Sequence, residues 1–279
     1  MDTEAIWAAI ENQTPKEIAR ENSKGKATLA FDTKNPIGIT LLSDQHLGSL
    51  GADMGRMRED AAIIRETPNL FACLSGDFLD NFIVPKLTGP MRDAVIPIKT
   101  QWKLVEHYLE MFGDKILAVV GGNHDAWSKK FSGVDVLEEL VKKRKVLHDN
   151  SEWQLTLKVG HENYKMAIRH SAKYTSAYNE THSAKQLWRM ARIPADVDVV
   201  VVSHTHNPSI EEFIWGANGP RLAIRTGTYK LGDCYVREIG FSPGGYAIPT
   251  VILHPNFHHC EAVTRIESAS RYLDSLRVA

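Results

Sequence analysis

Five separated segments carry aspartate, asparagine and histidine in patterns that suit the binding of metal ions. They are Asp44-Gln45-His46, Gly76-Asp77, Gly122-Asn123-His124-Asp125, His170 and Ser203-His204-Thr205-His206. With His124 set aside, they offer two aspartates, one asparagine and four histidines as ligands. A single zinc ion is satisfied by three or four protein ligands, whereas a pair of ions about 3.5–4 Å apart needs roughly twice as many. The sequence therefore favours a centre with two metal ions.

The donor types also indicate which metal fits. Imidazole and carboxylate groups without thiolate suit metals of intermediate hardness and disfavour calcium, which prefers oxygen ligands alone. Manganese is the first choice, with iron, zinc and magnesium as alternatives. Asp77 is the natural bridging ligand, because the two oxygens of one carboxylate can reach two ions.

Each motif alone has an ordinary structural explanation. Gly76-Asp77 fits a turn followed by a helix cap, Asp44 and His46 fit a solvated loop, and His204 with His206 fits a pair of surface imidazoles. These explanations would all have to hold at once in five places. We therefore interpret the five segments as one site.

Each segment follows a short apolar run that predicts a buried strand, and amphipathic runs that predict helices lie between them. The predicted strands are 37–42, 70–75, 115–120 and 197–203, with a hairpin formed by 153–159 and 164–170, and the predicted helices are 55–66, 92–112, 134–144 and 181–191. This alternation predicts a layered α/β fold with helices on both faces of a mixed sheet. Ligands of such sheets bind beyond the carboxyl ends of the strands. Residues 1–35 are predicted to form an N-terminal helical appendage, and residues 36–279 a single domain.

Composition excludes several classes of protein. The 279 residues are 43% hydrophobic and 24% charged with a formal net charge of −1, which is typical of globular proteins rather than disordered or fibrous ones. No apolar run approaches the roughly 18 residues of a membrane span, and three cysteines without CxxC spacing predict no disulfide framework. We expect a cytoplasmic protein without a membrane partner. The near-neutral charge argues against attraction of nucleic acid to the whole surface, although a local basic groove would not alter that sum.

The five segments resemble the signature blocks D-x-H, GD, GNH(D/E), H and GHxH of the calcineurin-like metallophosphoesterase superfamily, over about residues 37–232. The likeness is to compact phage-type and DNA-repair-type members, with Ser203 in place of the common glycine. It implies an α/β/β/α sandwich of mixed β-sheets flanked by helices. It also implies that one ion is held by Asp44, His46 and His206, that the other is held by Asn123, His170 and His204, and that Asp77 is shared.

The resemblance further implies a catalytic role for His124, which would act on the leaving oxygen while a metal-bridging hydroxide attacks the phosphorus. Asp125 is expected to hold the other ring nitrogen of His124. Candidate substrate-binding residues are Asn81, His182, Lys185 and Lys230. Asn81 could instead cap the next segment, and the stretch 170–185 could instead be a solvated loop that leads into a helix.

These features favour a dinuclear phosphodiesterase, with DNA as one candidate substrate. The alternatives are a phosphomonoesterase or nucleotide pyrophosphatase, and a scaffold that has kept the fold but lost catalysis. The scaffold is disfavoured because the chain retains His124 and all seven ligands. The sequence leaves the oligomeric state open.

Overall fold

The computed structural model describes residues 2–83, 96–176, 178–214, 219–230, 232 and 246–277. One six-stranded sheet has the order β12-β11-β2-β3-β4-β5. Its strands are β2 (Ile37–Leu42), β3 (Leu70–Ser75), β4 (Ile116–Val120), β5 (Leu147–Asp149), β11 (Thr250–Leu253) and β12 (Cys260–Val263). Strands β2 to β5 are parallel, so their carboxyl ends lie at the same edge.

The second six-stranded sheet has the order β1-β6-β7-β8-β10-β9. Its strands are β1 (Lys26–Phe31), β6 (Glu152–Val159), β7 (Glu162–Arg169), β8 (Val199–Val202), β9 (Ser209–Ile214) and β10 (Pro220–Arg225). Strands β7, β8 and β10 are parallel to one another. Strands β6 and β7 form the predicted antiparallel hairpin.

Seven helices are present in the described ranges. They are α1 (Thr3–Ser23), α2 (Met54–Glu66), α3 (Ile98–Met111), α4 (Asp125–Ser132), α5 (Val136–Lys143), α6 (His182–Arg189) and α7 (Ile266–Ser275). Helix α3 begins later than the predicted 92–112, and residues 92–95 of that prediction lie outside the described residues. In the described part of the chain, no helix combines the length and apolarity needed to cross a lipid bilayer.

Three layers of apolar contacts hold these elements together, because both faces of the central strands are apolar. Ile39 and Leu41 of β2 pack between the two sheets, whereas Leu42 packs against the helices on the outer face of the first sheet. Trp188 of α6 packs with Val200 on the outer face of the second sheet. The order of layers is therefore α/β/β/α, as the resemblance implied.

The structure also contains strands for which the sequence analysis gave no bounds, namely β1, β5 and β9 to β12. Residues Lys26–Phe31, inside the segment 1–35, form the edge strand β1 and pair in parallel with β6. Its side chains alternate between exposed and half-buried positions, so its run of apolar residues is weaker than in the central strands. This part of the segment is a strand of the second sheet.

We predict that Leu41→Ala lowers the free energy of unfolding by about 2–5 kcal/mol, because it leaves a cavity between the two sheets. Leu41 is 1% exposed. The free energy is measured by urea denaturation. Leu50→Ala is the control, since Leu50 is 53% exposed and its truncation should change stability by no more than about 0.5 kcal/mol. Equal losses in both variants would contradict this packing.

Candidate metal centre

The carboxyl ends of the parallel strands of both sheets meet and bring the five segments together. Asp44 follows β2, Asp77 follows β3 and Asn123 follows β4, all in the first sheet. His170 follows β7 and His204 follows β8 in the second sheet. Segments that are far apart in the chain thus contribute to one cluster of polar side chains.

One group of donor atoms consists of Asp44, His46 and His206, whose potential ligand atoms all lie within 4.8 Å of one another. Nε2 of His206 lies 3.1 Å from Oδ1 of Asp44 and 3.2 Å from Nε2 of His46. These are the three residues that the resemblance assigns to the first ion.

A second group consists of Asp77, His170 and His204, with the same spacing of donor atoms. Oδ2 of Asp77 lies 3.1 Å from Nε2 of His170 and 3.8 Å from Nδ1 of His204. The side-chain oxygen of Asn123 lies 3.1 Å from Nε2 of His170. The structure therefore places all four residues together.

Hydrogen bonds behind the histidines fix which ring nitrogen faces the site. Nδ1 of His46 lies 2.7 Å from Oδ1 of Asp80, and Nδ1 of His170 donates to the carbonyl oxygen of Ser75 at 2.7 Å. In each ring Nε2 is left to act as a ligand, which is the usual arrangement of metal-binding histidines. Burial lowers the pKa of His46 to about 4, although Asp80 opposes this. At neutral pH the ring of His46 is therefore neutral.

Three buried carboxylates give the cluster a strong demand for positive charge. Asp44, Asp77 and Asp80 are each no more than 1% exposed, and buried carboxylates are stable only when they are compensated. Burial favours the neutral form of His170, but the carboxylate of Asp77 outweighs it and raises the pKa of His170 to about 10. Burial also favours the carboxylic acid form of Asp77, yet His170 and His124 hold its pKa well below the usual range.

The residues present fit divalent metal ions. The donor set of carboxylate oxygens, imidazole nitrogens and one amide oxygen matches the ligands of such ions. Positive ions held by these atoms would also compensate the buried carboxylates. A lysine contributes as well, since Nζ of Lys230 lies 3.0 Å from Oδ1 of Asp80.

Sharp turns at the strand ends aim these side chains. Ten non-glycine residues in the described ranges have positive φ, and six of them belong to the site or its immediate support. They are Asp44, His46, Asp77, Asn81, His204 and His206. Positive φ is uncommon outside glycine, and such strain concentrates at functional sites. Ser203, which stands where the family commonly has glycine, does not have a positive φ, whereas His204 does. The position of Ser203 therefore does not require glycine.

Two glycines let the ends of β3 and β4 approach each other. A Cβ atom on Gly76 would lie 2.6 Å from the backbone nitrogen of Gly122, and one on Gly122 would overlap the backbone nitrogen and Oδ1 of Asp77. Bulkier residues would push Asp77 out of position.

His124 stands beside the second group, and its side chain is 15% exposed. Its Nδ1 donates to the carbonyl oxygen of Asp80 at 2.7 Å, and its Nε2 lies 3.8 Å from Oδ2 of Asp77. Its ring packs against Trp127 with centroids 4.3 Å apart. Nε2 is thus the nitrogen presented towards the site.

Asp125 does not hold the other ring nitrogen of His124, in contrast to the sequence-based expectation. Its Oδ2 accepts hydrogen bonds from the backbone nitrogens of Gly122 and Asp77 at 2.8 and 2.9 Å, and its Oδ1 accepts from Phe78 at 3.0 Å. Asp125 therefore ties β3 and β4 together, and the carbonyl of Asp80 orients His124. Asp125 follows His124 directly in the sequence, but it is the first residue of α4. Its carboxylate points back to the turn after β4, where it accepts from the backbone nitrogen of Gly122.

Two of the four candidate substrate-binding residues support the site from behind. Asn81 is fully buried, donates to the carbonyl oxygen of His124 at 2.6 Å and accepts from Ser128 at 3.0 Å. Lys230 is 6% exposed and paired with Asp80. In the structure both side chains contact protein groups that hold the centre in place.

The other two candidates lie on α6. Nζ of Lys185 pairs with both carboxylate oxygens of Glu211 at 2.7 and 2.8 Å. His182 is half-buried, with Nε2 at 3.1 Å from the side-chain nitrogen of Gln186. The structure therefore places Lys185 in an ion pair with β9 rather than among the metal-binding donors.

A buried hydrogen-bond network that the sequence analysis missed holds Asp44 in place. The hydroxyls of Tyr229 and Tyr246 donate to Oδ2 of Asp60 at 2.7 and 2.8 Å. The backbone nitrogen of Tyr229 and the hydroxyl of Thr228 in turn donate to the carbonyl oxygen of Asp44 at 3.2 and 2.7 Å. An aspartate on the buried face of α2 was the available signal for this network.

The model of the family described as calcineurin-like phosphoesterase matches residues 37–208. This match covers more than half of the chain and includes His124 and all seven candidate ligands. The chain belongs to the calcineurin-like phosphoesterase family. The family assigns it to hydrolases that act on phosphate esters.

Solved structures to which the chain is similar include three that are each 11% identical to it. Calcineurin-like phosphoesterase YfkN from Bacillus subtilis is 11% identical, with a TM-score of 0.42 and coverage of 88% of this chain and 100% of that one. Nuclease MPE from Pseudomonas putida is 11% identical, with a TM-score of 0.37 and coverage of 81% and 87%. Wild-type Vps29 from Entamoeba histolytica complexed with zinc is 11% identical, with a TM-score of 0.37 and coverage of 81% and 98%. No curated protein sequence matches the chain.

We predict that Gly122→Ala disrupts the centre, because its Cβ displaces Asp77. A displacement on the order of 1 Å should cost about 10²-fold in activity, and isothermal titration with Mn²⁺ should show weakened binding. Gly55→Ala in α2 is the control, because the nearest atom to its added Cβ is 3.5 Å away. Parental Mn²⁺ affinity in Gly122→Ala would contradict the close approach of the two strands.

Proposed function

We propose that the protein is a dinuclear metal-dependent phosphodiesterase and that manganese is its metal. Among the described residues three groups of donor atoms surround the buried carboxylates, and the third, His46, Asp80 and His124, shares His46 with the first. The observation that supports the proposal most strongly is that two of these groups, Asp44-His46-His206 and Asp77-His170-His204, have no residue in common. One ion would be held by Asp44, His46 and His206, the other by Asn123, His170 and His204, and Asp77 would contribute to both. Two divalent ions supply positive charge next to phosphorus and make water acidic enough to serve as a nucleophile near neutral pH.

The chain's own residues position the reacting groups. Asp77 is held by the backbone nitrogen of His124, which donates to its Oδ1 at 2.9 Å, so the second oxygen faces His170 and His204. Asp80 orients His46 through its carboxylate and His124 through its carbonyl oxygen. Asp80 thus orients both a candidate metal ligand and the candidate general acid.

His124 is the residue that we propose to protonate the leaving oxygen. The proton on Nδ1 of His124 is donated to the carbonyl oxygen of Asp80. In the protonated ring the second proton is therefore on Nε2, which points towards the site. Transfer of that proton to the departing alkoxide avoids the release of a poor leaving group.

We favour a diester over a monoester as the substrate. A monoester carries an additional negative charge, and an enzyme specific for it benefits from extra cations around the terminal phosphate. The lysines Lys185 and Lys230 are each paired with a carboxylate. His204 is 45% exposed, which leaves one side of the centre open for the second ester group.

We predict that His124→Ala retains both ions. Its kcat for an unactivated diester should fall by about 10²–10⁴-fold, because the leaving oxygen is no longer protonated. Its kcat for bis(p-nitrophenyl) phosphate, which has a good leaving group, should fall less. Asp77→Ala should instead lose metal binding. Turnover is measured with added Mn²⁺, and metal content by atomic absorption after dialysis.

His107→Ala is the matched control, because its side chain is 62% exposed and lies on α3. It should retain both activity and metal. An alanine variant of His124 that cleaved the unactivated diester at the parental rate would contradict the acid role. Parental enzyme without Mn²⁺-dependent hydrolysis of any phosphate diester would contradict the proposed function and favour the scaffold.

A further inference from the structure

A groove of about 550 Å³ opens beside the candidate metal centre. One wall is the loop after β7, with Lys173 and Tyr174, and the other is the carboxyl-terminal part of α6 with the following turn, including Gln186 and Arg192. His204 lines the same groove. A substrate bound at the centre therefore reaches the groove directly.

The groove is positively charged although the chain as a whole is not. Among its lining residues in the described part of the chain, Arg169, Lys173 and Arg192 carry positive charge and none carries a carboxylate. Arg169 is paired with Glu152 at 3.0 Å outside the lining, so the net charge comes from Lys173 and Arg192, which are both exposed. The formal charge of the chain is −1, so this is a local concentration of positive charge.

The groove also offers an aromatic surface. Tyr174 is 55% exposed, and Met190 on the opposite wall is 45% exposed. Exposed aromatic rings beside cationic side chains are the combination with which proteins bind single strands, since bases stack on the rings and phosphates contact the cations. The groove volume falls in the range of about 300–1,000 Å³ that suits organic ligands of nucleotide size.

We propose that this groove binds a single-stranded polynucleotide next to the phosphate that is cleaved, with Lys173 and Arg192 on its backbone and Tyr174 against a base. This inference rests on the proposed phosphodiesterase function. The buried position of Asp44 and Asp77 favours a single strand over a duplex, because a flexible backbone can bend towards recessed ligands.

The test compares Lys173→Gln/Arg192→Gln and Tyr174→Ala with the parental enzyme on oligo-dT, the matching RNA and bis(p-nitrophenyl) phosphate. We expect kcat/KM for the preferred single strand to fall at least tenfold more than that for the small diester in the double variant. Its salt dependence should also weaken, since each lost phosphate contact reduces the slope of log K against log salt by about 0.7. Comparison of oligo-dT with the matching RNA shows whether the groove prefers deoxyribose or ribose.

The double variant Lys103→Gln/Arg58→Gln removes two exposed cations from α3 and α2 and is the matched control. It should retain parental selectivity. Fluorescence anisotropy of a labelled oligo-dT, recorded with Mn²⁺ present and with every protein in a His124→Ala background that slows hydrolysis, measures binding directly, so it tests the groove even if the phosphodiesterase proposal fails. Equal binding by the parental enzyme and both groove variants, or a preference for duplex or mononucleotide substrates, would overturn the inference. Hydrolysis of the small diester without binding or cleavage of any single strand would also overturn the inference, but it would leave the proposed function intact.

Discussion

The structure depends on placing three carboxylates out of contact with water at one edge of two sheets. Asp44, Asp77 and Asp80 are almost completely buried, which is unfavourable unless positive charge compensates them. Lys230 and the imidazoles around them supply part of it. The negative charge that these groups leave uncompensated makes the cluster suited to divalent cations.

The framework that holds these groups is built from features that are costly on their own. Turns with positive φ at His46, His204 and His206 are strained, and they persist because the strands before them are held on both faces by apolar packing. Gly76 and Gly122 provide the space that the turns require. The packing of the layers thus stabilises strained turns that orient the candidate ligands. Such strain is expected where a site binds cations.

The sequence was sufficient for the features that are local in the chain. Strands 37–42 and 70–75 were predicted with their observed bounds, because buried parallel strands are continuous apolar runs. The seven candidate ligands could be proposed from the sequence because six of them follow such a run and His170 follows the second strand of the predicted hairpin. Partners formed across the fold could not be predicted: the contacts of Asp125 with Asp77 and Phe78, and of Lys185 with Glu211, join residues 26 to 48 positions apart. The edge strand β1 was missed because it is only half-buried.

The most direct test of this account is anomalous diffraction at the manganese edge from crystals grown with MnCl₂. The account predicts two peaks about 3.5–4 Å apart, one among the donor atoms of Asp44, His46 and His206 and one among those of Asn123, His170 and His204, with Asp77 between them. A single peak, or none at saturating metal, with these side chains turned away from one another, would contradict it.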